Sequence, residues 1–321
     1  MTANPPEISI RFNEVKYRVH GTPAENRAAA QAYTKRYAER QALRPGKRRP
    51  EPSLWIAGQR AEAGGAGDTQ GRVLIANISL EIRAGQTVVL LGRSGSGKTT
   101  LLRLINRMLE PTSGEVLVQG RATTEWNPFE LRRGIGYVIQ EAGLFPHFTV
   151  AENIALVPSL EKWDKPRIAA RVKELLRLVG LDGEDFAARY PRQLSGGQRQ
   201  RVGVARALAA DPQILLMDEP FGALDPVTRA ELQREFGALA KRLGRTIVFV
   251  THDLREALLL GTRIVLLQDG KIVASETPQE FLKLRDAEVR AFADSLNSSS
   301  AGNRAAKEQA APEQQPGGQL W

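Results

Sequence analysis

The chain is 321 residues long and 42% hydrophobic, enough for one large domain or two small ones around a real core. It has no cysteine, which excludes disulfides and thiolate metal sites. Its net charge of +9 and isoelectric point near 10.0 suit a soluble basic protein, and also one drawn to nucleic acid or to an anionic leaflet. No nucleic-acid-binding motif accompanies the charge, so the membrane side is favoured. Met1 to Glu7 holds no apolar signal core. The longest apolar runs, such as Ile247-Val248-Phe249-Val250, are strand-sized and far short of the roughly 20 residues that span a bilayer. The expectation is a soluble or membrane-peripheral chain.

Ile8 to Phe12 alternates in polarity and predicts a strand. Residues 21–71 then interrupt with Ala, Arg, Pro and Gly. They contain a candidate helix from Ala24 to Leu43, a break at Pro45-Gly46, the basic run Lys47-Arg48-Arg49 and a flexible Gly64-Gly65-Ala66-Gly67. A solvated, partly disordered expansion is one reading of this insertion, and docking of the basic run on anionic lipid or a partner is the other. Strand character resumes from Val73 to Ile82, turns at Ala84-Gly85-Gln86, and gives way to the continuous apolar run Thr87 to Leu91, the pattern of a buried parallel strand. Leu101, Leu102, Ile105, Met108 and Leu109 predict a helix that ends at Pro111-Thr112-Ser113-Gly114. A second strand-turn region covers 115–138, and 150–181 turns helical, with Ile168, Val172, Leu175, Leu176 and Val179 on one face. A helix from Gln198 to Ala209, a strand from Ile214 to Met217, a helix from Val227 to Leu243, a strand from Thr246 to Val250 and a helix from Leu254 follow. This alternation predicts an α/β fold with a mostly parallel sheet. The tail, 295–321, has the composition of disordered chain.

Gly92-Arg93-Ser94-Gly95-Ser96-Gly97-Lys98-Thr99 leaves a strand and opens a helix, the context a phosphate-binding loop requires. Its glycines let backbone N–H groups reach phosphate oxygens, and the helix N-terminus adds partial positive charge. Lys98 is placed to reach β- and γ-phosphates, Thr99 to ligate Mg²⁺, and Thr100 joins the same first turn. Asp218 ends an apolar strand, so its carboxylate is expected at the sheet's C-terminal edge as a Mg²⁺ partner. Glu219, next to it, is suited to polarise an attacking water.

Leu194-Ser195-Gly196-Gly197-Gln198, lying between the phosphate loop and Ile214-Leu215-Leu216-Met217-Asp218-Glu219, resembles the signature of the ABC ATPases, and the chain resembles that family over residues 7–20 and 72 to about 290. The resemblance implies a P-loop NTPase fold of ABC type: a mostly parallel core, an antiparallel β subdomain, and a helical subdomain (140–198) carrying the signature. It implies ATP and Mg²⁺ as ligands. Ser195 and Gly197 would contact the γ-phosphate held by a second copy of the chain in a head-to-tail dimer, with Gly196 and Gln198 in the same nucleotide-binding signature. By the same resemblance Gln140 senses Mg²⁺ and attacking water, Asp225 belongs to the D-loop, His252 is the switch histidine, and Tyr17 is the adenine-stacking aromatic. His20 and His147 are read as structural or merely exposed. Leu144-Phe145-Pro146-His147 lies in a loop that in importers of this type faces the membrane subunit.

Phe221-Gly222 after Asp218-Glu219-Pro220 resembles importer ATPases. Gly136 to Gln140, Gly143 to His147, Asn153 to Pro158 and Trp163-Asp164 resemble those of glycine betaine/choline importers. The implied partners are integral-membrane permease subunits and, indirectly, an extracytoplasmic solute-binding protein. The implied location is the cytoplasmic face of the cell membrane. No nucleic acid is expected as a partner, and the residues that follow the cassette are too few for a C-terminal regulatory or β domain. The rival readings are an importer for another solute such as amino acids, a soluble ABC-type ATPase acting on nucleic acid, and a non-catalytic scaffold.

Overall fold

A computed structural model describes residues 8–19, 72–140, 142–181 and 184–294. The insertion at 21–71 with its candidate helix, His20, and the tail from 295 lie outside the described residues.

Two sheets form the framework. The first is antiparallel, in the order β2-β1-β4-β5, from β1 (Ile8–Val19), β2 (Arg72–Arg83), β4 (Ser113–Val118) and β5 (Arg121–Ala122). The second runs β10-β9-β3-β8-β7-β6, from β3 (Thr87–Leu91), β6 (Ile135–Val138), β7 (Ile214–Asp218), β8 (Thr246–Thr251), β9 (Arg263–Gln268) and β10 (Lys271–Glu276). Its first five strands in chain order are parallel to one another, and β10 returns antiparallel along β9.

The parallel strands are apolar at consecutive positions because both of their faces are covered. Val88, Leu90, Leu216, Val248 and Val250 point to one side, where they meet Ile10, Phe12 and Ile75 of the antiparallel sheet. Wedged into that layer is α1 (Lys98–Ile105), with Leu101, Leu102, Leu104 and Ile105 fully buried. Val89, Leu91, Leu215, Met217, Ile247 and Phe249 point to the other side, against a layer of helices. Those helices include α3 (Val150–Leu160), α4 (Lys165–Leu178), α6 (Gly196–Leu208), α7 (Pro226–Leu243) and α8 (Leu254–Leu260). Phe221, Phe236 and Phe249 pack there with ring centroids 5.7–6.4 Å apart. Burying each such side chain contributes about 1.5–3 kcal/mol.

Three elements differ from the sequence reading. α1 stops at Ile105, not near Leu109: Asn106 caps it, Arg107 takes a positive φ of 53°, and Met108 is exposed. Helical spacing continued past the true end because Leu109 packs on the core from a turn. A short α2 (Pro128–Arg133) lies inside the region read as strand and turn. Asn127 accepts from the Phe129 and Glu130 amides, and Pro128 sits in the first turn, a legible helix start. The helical stretch 150–181 is two helices, parted where Asp164 caps α4. The short α5 (Glu184–Ala188) and a 3₁₀ turn (Pro191–Gln193) lead into α6. α9 (Pro278–Phe281) follows β10, and residues 287–294 form a final helical segment.

Candidate functional site

The parallel register brings the strand ends together. Leu91 pairs with Thr251, Val250 with Asp218, and Met217 with Val138, so β3, β8, β7 and β6 finish at one edge. The phosphate loop, Gln140, Asp218, Glu219 and His252 all leave the sheet there, the usual binding edge of such a sheet.

The loop between β3 and α1 turns through residues with positive φ: 81° at Gly95 and 102° at Gly97. A Cβ on Gly97 would stand 2.9 Å from the Leu74 carbonyl oxygen, so only glycine lets the loop lie against β2. Arg93, Ser94 and Gly95 are exposed, while Gly92, Ser96, Gly97 and Lys98 are buried and Thr99 and Thr100 half-buried. Lys98, only 5% exposed, curls back so that Nζ donates to the Gly92 carbonyl at 2.7 Å and to that of Arg93 at 2.8 Å. Burial pushes its pKa down, and the charges of Glu219 and Asp218 oppose that shift. Buried Ser96 Oγ has no hydrogen-bond partner.

Thr99 Oγ1 donates to Asp218 Oδ1 at 2.9 Å, and the Tyr137 hydroxyl donates to Oδ2 at 3.5 Å. Burial raises the Asp218 pKa, against the Thr99 hydrogen bond and the charge of Arg103. The same burial, with Asp218 beside it, pushes Tyr137 up to about 12, so its hydroxyl stays a donor. Glu219 has a positive φ of 44°, and its amide donates to the Val250 carbonyl at 3.1 Å. Its Oε2 lies 3.2 Å from His252 Nδ1, and His252 is itself 63% exposed. The Gln140 amide nitrogen and Glu219 Oε2 flank Gly222: a Cβ there would stand 3.7 and 3.8 Å from them. Gln140 and His252 therefore both lie near Glu219, whose charge also acts on Lys98 of the phosphate loop.

The remaining sequence candidates stand elsewhere. Ser195 is the N-cap of α6. Its Oγ accepts from the Gln198 amide at 3.2 Å, and Gln198 Oε1 accepts from the Ser195 amide at 2.9 Å, a reciprocal capping box. Gly197 is buried, and a Cβ on it would stand 2.7 Å from Thr228 Cγ2, so α6 and α7 approach closely at the signature. Asp225, exposed, caps α7 by accepting from the Thr228 and Val227 amides, and those bonds hold its carboxyl below the ordinary range. Tyr17 lies beyond the strand read from Ile8 to Phe12, which in the structure is longer. β1 continues to Val19, so Tyr17 pairs with Ile75 inside the sheet and packs half-buried on the core, near the charge of Arg103.

Residues 75–222 match the ABC transporter family. The glycine betaine/carnitine/choline transport ATP-binding protein OpuCA of Bacillus subtilis (strain 168) is 53% identical over 213 residues, 66% of this chain and 56% of that protein. The glycine betaine uptake system ATP-binding protein YehX of Escherichia coli (strain K12) is 54% identical over 206 residues, 64% of this chain and 67% of that protein. The dimeric structure of a post-hydrolysis state of the ATP-binding cassette MJ0796 bound to ADP and Pi superposes with a TM-score of 0.62. It is 30% identical and covers 84% of this chain and 98% of that one. The chain belongs to the ABC transporter family. It spans about half the length of several curated relatives it matches.

Whether the residues at this edge suit a divalent cation is answered by their donor atoms. Among the described residues, no group of three or more His, Cys, Asp or Glu is arranged to hold a metal ion. Thr99 and Asp218 instead present two hard oxygens in mutual contact beside the phosphate loop. Mg²⁺ characteristically takes one or two such protein ligands and completes its shell with water and substrate phosphates. Sequence reasoning passed over Tyr137 and Arg103 as site residues. Tyr137 neighbours Asp218 only through the β6–β7 pairing, which local sequence does not reveal.

Proposed function

We propose that this chain is the ATP-hydrolysing subunit of an importer for a glycine betaine- or choline-type quaternary amine. The observation that carries the reading is the convergence of Lys98, Thr99, Asp218, Glu219 and His252 at one sheet edge. The solute class rests on the likeness to the glycine betaine and choline transport proteins, since none of these residues touches the solute.

On this reading Lys98 exchanges the Gly92 and Arg93 carbonyls for β- and γ-phosphate oxygens, and the loop amides and the α1 N-terminus hold the rest of the triphosphate. Tyr17 supplies a flat face for the adenine. Thr99 and Asp218, with Gln140 nearby, would hold Mg²⁺, which when bound neutralises charge on the β- and γ-phosphates. Glu219 orients a water for attack on the γ-phosphorus as the bond to the β–γ bridging oxygen breaks, giving ADP and phosphate. His252, which lies against Glu219, turns to the γ-phosphate, and Gln140 fixes the water from the other side.

The signature of this chain caps its own helix, on an element that none of the edge residues occupies. A second copy, arranged head to tail, would bring Ser195 and the amides of Gly196, Gly197 and Gln198 to the γ-phosphate, with Asp225 at the seam. Closure of the dimer would act through 140–198 on integral-membrane permease subunits, fed by an extracytoplasmic solute-binding protein. None of the described helices is long and apolar enough to cross a membrane, which fits attachment to the cytoplasmic face of the cell membrane through those partners.

The test is uptake of labelled glycine betaine at high osmolarity, in cells carrying the chain with a quaternary-amine permease and with Lys98→Ala as control. Uptake that disappears in the control supports the reading. Intact ATP turnover without uptake keeps the engine and moves the search to other quaternary amines and then amino acids.

A further inference from the structure

Glu256, on α8, is 5% exposed and is used by none of the steps above. Both of its oxygens accept hydrogen bonds. The hydroxyl of Thr251, itself 2% exposed, donates to Oε2, and Gln233 Nε2 donates to Oε1 at 2.8 Å. The same Thr251 hydroxyl accepts from the Asp253 amide at 3.0 Å. Thr251 and Asp253 are the two neighbours of His252, so the turn that carries the histidine is pinned on both sides, and the pin ends on Glu256.

The other end of this network reaches α7. Asp225, Arg229 and Gln233 are spaced by four and so share one face of that helix. Arg229 donates to the carbonyls of Phe221 at 3.2 Å, Gly222 at 3.4 Å and Leu224 at 3.0 Å, holding the segment that runs from Glu219 to Asp225. Its positive charge also acts on Glu256. A carboxylate in this position suffers from burial, which raises its pKa, as does the charge of Asp253. Thr251, Gln233 and Arg229 counter that rise. A buried ionisable group so fully satisfied is costly to keep for packing alone, since an apolar residue of similar size fills the same volume.

We infer that Glu256 is a positioning residue that fixes the turn bearing His252 and ties it, through Gln233 and Arg229, to the loop 221–225 of the same chain. Histidine and interface loop then shift together when a second chain closes on Asp225. The inference rests on the ATPase reading of the site.

Basal MgATP turnover of the full chain tests it in a variant cycle. Glu256→Ala lowers kcat about tenfold, the equivalent of roughly 1.4 kcal/mol, with KM for MgATP within about a factor of two. Glu256→Gln recovers most of the rate, because a turned Gln233 amide accepts from the new amide while Thr251 still donates to its carbonyl. In a His252→Ala background, Glu256→Ala adds no further loss, since the two act through one group. Thr251→Val, isosteric in a strand, is the second probe should Glu256→Ala fold poorly. It reproduces the loss, and Thr251→Ser restores the rate. Wild-type kcat in Glu256→Ala or Thr251→Val overturns the inference, as does a second tenfold loss on top of His252→Ala. Normal turnover in Glu219→Gln and His252→Ala would remove those residues from their roles, whereas the absence of any MgATP turnover in the parent chain, alone or with a membrane partner, is the result that brings down the ATPase reading itself.

Discussion

The sheet edge and the signature are built differently. At the edge, residues from 92 to 252 are gathered by strand register, and their functional groups already face one another: Thr99 on Asp218, Glu219 on His252, Lys98 on its own loop. At the signature, Ser195 and Gln198 satisfy each other in a reciprocal capping box across four residues of chain. The first arrangement is a site assembled by the fold. The second is a well-made helix end, built from neighbours in sequence. This contrast is what a composite site, one part per chain, would look like in a single chain.

Glu219→Gln attacks the edge most directly. Turnover is expected to fall by roughly 10²–10⁴-fold, the range for removing a general base, while ATP binding and dimer closure persist. Normal turnover would remove Glu219 from its role. Phe249→Ala strikes the packing beneath the edge, and a loss of about 3–5 kcal/mol in denaturant unfolding is expected from the emptied aromatic cluster. Ser195→Ala separates the two regions. Folding stability falls by about 1 kcal/mol, as for a lost N-cap, and nucleotide binding to the isolated chain is unchanged, yet turnover at high protein concentration collapses. Equal loss of binding in the isolated chain would place the signature in its own nucleotide site.

Asp218 gives a pH-dependent prediction. Its pKa is raised in the fold, so the folded chain holds that proton more tightly than the unfolded one. This destabilises the nucleotide-free fold progressively as pH rises from the ordinary aspartate range through the raised value. Asp218→Asn is therefore expected to unfold at higher denaturant than the parent at neutral pH while losing Mg²⁺-dependent turnover. A midpoint below the parent's contradicts the burial argument. The smallest effect is expected of Tyr137→Phe. Its 3.5 Å hydrogen bond is long, and its loss is expected to raise the Mg²⁺ requirement by a few fold, in keeping with the roughly 0.5–1.5 kcal/mol of a typical hydrogen bond.

The sequence was legible where chemistry is local. Thr87 to Leu91 is a strand at its predicted bounds because a run of apolar residues buried on both faces admits little else. The Asp218 carboxylate stands at a strand end because the apolar run stops there. Spacing failed where packing decides. Leu109 extended the apparent periodicity of α1 although a positive φ at Arg107 had already ended the helix. The strand read from Ile8 to Phe12 runs on through Tyr17 to Val19, because β2 pairs with it along that length. The fold class and family followed from motifs in order. The network from Thr251 through Glu256 to Gln233 and Arg229 did not, because its members meet only once α7 and α8 pack together.

The division of the site between two chains is tested most directly by mixing two inactive variants. Lys98→Ala lacks a working phosphate loop, and Ser195→Ala lacks a working signature. Head-to-tail pairing of one with the other leaves one site with both parts intact. MgATP turnover of the mixture is expected to rise well above that of either variant alone at the same total concentration. A mixture no more active than its components would mean that the signature does not complete a site in trans.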